Sequence, residues 1–240
     1  MDAKPTHAMT SRFLDFARVI VAGDIDAVSR RLADDPALAV ASCPSGATRA
    51  DASTCFITAI RHYVYAGDTP LHVAAAAFRR PMAELLVAHG ADWRATNRRR
   101  AQPLHYAADA NHWDPAAQAE TIRYLTSIGA DPGALDMSGV SPLHRAVRTR
   151  SCAAVGALLD AGADPRQPNK SGSTPLHLAV QPTGRGGSGS PHAREQQLAI
   201  VRLLLERGAS ARDRDGHGRP VYQAATGEAI RAVLKHAAAV

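Results

Sequence analysis

Cysteine is scarce in this chain: Cys43, Cys55 and Cys152 are the three among 240 residues. They are odd in number and scattered, with no Cys-x-x-Cys spacing, which argues against a disulfide framework or a structural zinc site. A reduced, cytoplasmic protein fits that usage. Aromatic residues make up only 5% of the chain. Alanine is plentiful instead, and a core of Ala and Leu suits closely packed helices better than a sandwich of β-branched strands. Eighteen consecutive apolar residues occur nowhere, so no membrane-spanning helix is expected. The opening stretch MDAKPTHAMTSRFLDF has no apolar run of the kind a secretory leader needs. Catalytic signatures are also missing: there is no Gly-x-Ser-x-Gly, no Walker motif, no His-Glu-x-x-His and no kinase loop. The chain is therefore read as a non-enzyme without cofactor or metal.

What is present begins with charge. A formal net charge of +6 favours acidic partners, whether protein or nucleic acid. The bias toward Ala and Arg suggests a GC-rich bacterial source.

A tetrapeptide then recurs. Thr69-Pro70-Leu71-His72 returns as Gln102-Pro103-Leu104-His105, Ser141-Pro142-Leu143-His144 and Thr174-Pro175-Leu176-His177, with a degenerate copy at Arg219-Pro220-Val221-Tyr222. The proline spacings are 33, 39, 33 and 45 residues. A second marker follows each of the first four copies, at Gly90-Ala91-Asp92, Gly129-Ala130-Asp131, Gly162-Ala163-Asp164 and Gly208-Ala209-Ser210. Proline suits the first turn of a helix, where its missing N–H costs nothing, and a preceding Thr or Ser can cap that helix. The glycines stand where a second helix needs a left-handed residue at its end. Asp136-Met137-Ser138-Gly139 and Asn169-Lys170-Ser171-Gly172 are turn sequences. One such unit cannot bury its own apolar face, so neighbours must stack.

A 33-residue period with this tetrapeptide resembles the ankyrin-repeat family. The resemblance covers residues 67 to 222 and implies an all-α solenoid of stacked helix pairs with short projecting finger turns. It divides a single domain, 1–240, into an N-terminal capping pair at 11–40, an insert at 41–66, four full repeats over 67–212 and a C-terminal capping repeat at 213–240. Phe13 to Asp35, with Gly23-Asp24 at its turn, resembles the capping pair. The resemblance also implies a monomeric protein-binding scaffold that makes contact through finger tips and the exposed side of inner helices. Those positions are Tyr65, Ala66, Asp68, Ala76 and Ala77 in the first full repeat, then Arg98, Arg99, Ala101, Asp109 and Ala110 in the second. The third supplies Met137, Ser138, Val140, Arg148 and Thr149, and the fourth Lys170, Ser171, Ser173, Gln181 and Pro182. Arg98, Arg99, Arg148 and Lys170 thus fall on one expected concave face as a basic stripe, with Tyr65 and Met137 as apolar anchors. Arg100, also counted in the partner-binding surface, replaces the usual finger glycine and should change that turn. An acidic protein is the leading partner, and nucleic acid is the alternative, although the stripe lacks interleaved aromatics.

Three departures interrupt the repeat. Cys55 to Tyr65 places Phe56, Ile57, Ile60, Tyr63 and Val64 on one helical face, which reads as a short helix covering a junction, or else as a lid beside the groove. An excess near 110–116 lengthens a connection and carries Trp113, expected to pack back onto the array and otherwise a contact anchor. A second excess near 183–195 contains the flexible run around Arg185. Ile60, Trp113 and Arg185 are the contacts these inserts would supply, and an anion-binding or enzymatic role built from the inserted loops is the remaining alternative. The histidines His72, His105, His144 and His177 belong to the repeat, where the resemblance implies hydrogen bonds between neighbouring units, so a metal triad of His105, Asp109 and His112 is set aside.

Overall fold

The computed structural model describes residues 3–48, 52–109, 113–182 and 189–239. They fall in two compact units, Met1–Asp131 and Pro132–Val240.

In the first unit, α1 (Ala3–Ala22) and α2 (Ile25–Asp34) form an antiparallel pair joined at Gly23. Asp24 caps α2, its Oδ1 accepting from the N–H of Ala27 at 2.9 Å. The pair buries Phe13, Phe16, Ile20, Val28 and Leu32. Two helix pairs follow: α3 (Pro70–Ala76) with α4 (Arg80–Ala88), and α5 (Pro103–Ala107) with α6 (Pro115–Ser127). Helix α3 packs on α1 and on α5. In the second unit α7 (Pro142–Arg148) pairs with α8 (Cys152–Asp160), and α9 (Pro175–Ala179) with α10 (Pro191–Glu206). The unit ends in α11 (Val221–Ala224) and α12 (Glu228–Ala239).

The tetrapeptide does the same work in each copy. Its proline opens α3, α5, α7 and α9. Its leucine (Leu71, Leu104, Leu143, Leu176) is fully buried, and truncating such a side chain to Ala costs about 2–5 kcal/mol. The outer helices stop as the glycine rule requires. At the end of α8, Gly162 has φ 92°, its N–H reaches the Leu159 carbonyl and the next N–H, of Ala163, reaches that of Leu158.

The segment from Cys55 to Tyr65 is not a helix, contrary to the sequence-based expectation. It is a small antiparallel hairpin of β1 (Phe56–Ile57) and β2 (His62–Tyr63), with Phe56 opposite Tyr63. Arg61 turns the loop with φ 48°, and the Val64 N–H closes onto the Cys55 carbonyl at 2.8 Å. Apolar residues at 57, 60 and 64 suit one helical face, but the same residues are β-branched and flank aromatics, a composition that fits a pleated, half-buried surface. The hairpin buries Ile57, Ile60 and Val64 inward and stacks Phe56 on Tyr63 at 4.7 Å between ring centroids.

Inner helices come in two lengths: α3 and α7 have seven residues, α5 and α9 only five. The short ones belong to the repeats that carry inserts, and a glutamine from the outer helix satisfies their terminal carbonyls. Gln118 donates to the Ala107 carbonyl at 2.9 Å, and Gln197 to those of Ala179 and Gln181 at 2.7 and 2.6 Å.

Candidate protein-binding surface

At His72, His144 and His177 the repeat histidine fixes one finger to the next. The Thr69 N–H donates to His72 Nδ1 at 3.1 Å. That nitrogen must therefore be unprotonated, so Nε2 carries the proton and donates to the Ala101 carbonyl in the next finger at 3.0 Å. His144 repeats the arrangement with Ser141 and the Ser173 carbonyl, at 3.3 and 3.1 Å. His177 does so with Thr174 and the Arg219 carbonyl. Burial depresses the His144 pKa below its ordinary value, although the bond to Ser173 opposes the shift. These rings act as structural donors. His112 of the discarded triad lies outside the described residues.

Every finger is organised by one Asn or Asp, a role that the sequence reading assigned only to a generic turn. Asn97 Oδ1 accepts from the N–H groups of Arg99 and Ala101. Asp136 does the same for Ser138 and Val140, Asn169 for Ser171 and Ser173, and Asp215 for His217 and Arg219. The fourth residue of each turn is left-handed, with φ 68° at Gly139 and 72° at Gly172. Arg100 occupies this position at φ 58°. The turn is conserved in shape, so the expected change at Arg100 does not occur: the Asn97 hydrogen bonds hold an arginine in a conformation that costs it about 1–2 kcal/mol.

Arg98 and Arg99 form the most developed basic feature of the first unit. Both guanidinium carbons lie 5.3 Å from the centroid of the Tyr65 ring, a cation–π arrangement. Arg98 also donates to the Ala47 carbonyl, which ties the finger to the insert. Among the described residues no carboxylate pairs with either arginine. Beside them opens a cavity of about 380 Å³ lined by Ala47, Thr48, Ala52, Tyr63, Tyr65, Arg98 and Arg99.

Below this surface sits a buried carboxylate. Asp68, expected at a contact position, is only 1% exposed. It accepts from the Tyr65 N–H at 2.7 Å, Asn97 Nδ2 at 2.8 Å and the Tyr106 hydroxyl at 3.0 Å. Its place is structural, because three donors compensate the lost hydration of a carboxylate. Ala76, Ala77 and Asp109 are buried too.

The second unit differs. Met137 is 54% exposed, and Arg148 and Lys170 are exposed. A partly buried cation there is Arg145, paired with Asp136 at 2.9 Å with both side chains 11% exposed. Burial raises the Asp136 pKa, but the Arg145 hydrogen bond and the Val140 and Ser138 N–H groups outweigh it and leave the carboxyl below its ordinary value.

The insert residues divide. Trp113 is 52% exposed, lying on the connection ahead of α6 and not packed into the array as expected. Ile60 is 4% exposed; the hairpin turns it into the core, which removes it from the contact set. Arg185 lies outside the described residues. Cys152 is half-buried at the first position of α8, while Cys43 and Cys55 are buried. Burial, with Cys55 nearby, pushes the Cys43 thiol up to about 11, so it carries little thiolate near neutrality. Among the described residues no cluster of His, Cys, Asp or Glu is arranged to hold a metal ion. Nor, among the described residues, is any helix long and apolar enough to cross a membrane.

What sequence reasoning missed at this surface is the glutamine cap. Its signal was present: Gln118 and Gln197 each stand eleven residues before the glycine that ends their helix, Gly129 and Gly208.

No curated protein matches the chain. The family model for ankyrin repeats in three copies matches residues 47–136 and 115–187, and that for a single ankyrin repeat matches residues 171–216. These matches span more than half of the sequence, their repeats are the helix pairs and histidine-bridged fingers described above, and the chain belongs to the ankyrin-repeat family.

Proposed function

We propose that the chain is a non-catalytic scaffold that binds an acidic protein through its basic finger and inner-helix positions. Ankyrin repeats generally serve as protein–protein interaction modules. The observation that carries the acidic preference is the pair Arg98 and Arg99, stacked on Tyr65 and without a carboxylate partner among the described residues. Arg148 and Lys170 supply exposed positive charge in the second unit. Guanidinium groups held in place lose less freedom on binding and present several donors to a carboxylate. The sparse, unbridged cysteines support a reducing, cytoplasmic setting.

The test separates local charge from total charge. The tagged full chain captures its partner from the native host at low and high ionic strength. Reversing Arg98, Arg99, Arg148 and Lys170 to Glu is expected to weaken capture at least tenfold, most at low salt. Reversing Arg30 and Arg31, exposed on α2, is expected to do little. Circular dichroism checks that both variants fold. Equal losses from the two sets, or capture of nucleic acid in place of protein, would overturn the reading.

A further inference from the structure

Arg98 and Arg99 are not equivalent donors. Stacking on Tyr65 occupies guanidinium faces and leaves the N–H edges to make hydrogen bonds. Arg98 already spends one edge on the Ala47 carbonyl. No hydrogen bond or ion pair engages the Arg99 guanidinium among the described residues, so its planar fork is held in place and unused. It lines the cavity of about 380 Å³ together with Arg98 and Thr48, and the remaining walls are Tyr63, Tyr65 and the small side chains Ala47 and Ala52. That size is near the lower end of the roughly 300–1,000 Å³ that ligand clefts occupy, which is room for a few side chains. Apolar walls with one open cationic edge suit a group that is itself apolar with an anionic end.

We propose that this cradle binds a two-residue acidic–apolar step in an extended segment of the partner: an Asp or Glu carboxylate on the Arg99 fork, and its aromatic or aliphatic neighbour against Tyr63 and Ala52. The proposal rests on the reading of the chain as a protein-interaction module and names the chemistry at one place on it. A carboxylate suits the site better than a phosphate. Its planar pair of oxygens matches one guanidinium fork, whereas a phosphate dianion asks for donors beyond the one fork left open. The insert supplies Ala47, Ala52 and Tyr63, so preference for the neighbouring residue is set by the insert, and the repeat finger sets the preference for charge.

The test uses the full chain and fluorescein-labelled hexapeptide pools with randomised flanks and a fixed central pair, read by fluorescence polarisation. The Glu-Phe pool is expected to bind about tenfold more tightly than Gln-Phe, the loss that follows when a charge-assisted hydrogen bond is removed. It is also expected to bind more tightly than Glu-Gly and phosphoserine-Phe. Arg99→Lys, which keeps the charge but loses the fork, should weaken Glu-Phe binding about fivefold or more, while Arg30→Gln should change nothing. Because a variant can misfold, amide chemical shifts of the unaltered chain are followed with the same pool, and Ala47, Ala52 and Tyr65 should move most. No binding of Glu-Phe, equal binding of Gln-Phe, tighter binding of the phosphoserine pool, an unaffected Arg99→Lys or shifts elsewhere would each overturn the proposal. Partner capture that still depends on the charge reversals would then leave the broader reading standing.

Discussion

Two fingers of this chain share one backbone and differ in how they are tied down. The Asn97–Ala101 finger faces its polar anchors inward: the Asn97 amide bonds to Asp68 and Tyr106, and Asp68 is buried. The Asp136–Val140 finger is tied by an ion pair to Arg145 on the inner helix of its own repeat. With its loop already secured by buried groups, the first finger can carry three arginines at its tip, one of them at a left-handed φ. The second carries Met137, Ser138 and the permissive Gly139. Recognition chemistry can vary at the tip because shape is fixed by the residue that opens the turn.

The sharpest way to break this comparison is to remove the inward anchor. Asn97→Ala takes two acceptor bonds from the turn and deprives the buried Asp68 carboxylate of a donor, at about 1–3 kcal/mol for the latter alone. A total loss of roughly 3 kcal/mol is expected from urea unfolding. Asn169→Ala, which removes the turn bonds to Ser171 and Ser173, should cost about 1 kcal/mol. Equal losses would mean that the bonds to Asp68 and Tyr106 add nothing.

The ion-paired finger gives the next largest effect. Asp136→Asn leaves Arg145 half-satisfied at 11% exposure, at a cost of about 2 kcal/mol, below the roughly 3–5 kcal/mol of fully buried pairs. It should also change the acid limb of stability. A carboxyl with a lowered folded-state pKa contributes stability that is complete above its ordinary value of 3.8 and disappears as pH falls through the lowered one. Unfolding followed from pH 5 downward should therefore show a shallower loss in Asp136→Asn than in the parent chain. An unchanged slope would show that the pair is not coupled to folding.

The smallest effect concerns the left-handed position. Arg100→Gly relieves about 1–2 kcal/mol of backbone cost but restores freedom to the unfolded chain, so a net gain of about 0.5 kcal/mol is expected from thermal unfolding. Gly139→Ala should instead lose stability, since φ there is 68° and a Cβ would stand 2.8 Å from the Lys170 nitrogen. If Arg100→Gly destabilises the protein, Arg100 makes contributions that outweigh its backbone strain.

Much of this was legible in the residues. The tetrapeptide spacing identified the starts of α3, α5, α7 and α9, and the terminal glycines identified where outer helices stop, because both depend on local backbone rules. The hairpin at 56–63 was not legible: Ile57, Ile60 and Val64 satisfy a helical spacing and a hairpin interior equally well, and only packing chooses between them. The exposure of Trp113 and the burial of Ile60 were not legible for the same reason, since exposure is a property of neighbours.

By itself the sequence determined the repeat register and the buried leucines, which follow from capping, periodicity and turn chemistry within a few residues, while the histidine bridges and the basic residues at finger tips were implied by the resemblance to the ankyrin-repeat family. Tertiary structure alone decided that Arg98 and Arg99 share one tyrosine ring, that Asp68 is buried beneath them and that the insert forms the wall of their cavity. Those facts depend on residues brought together across long sequence separations, Arg98 to Ala47 over 51 residues and Tyr106 to Asp68 over 38, distances over which local preference carries no information.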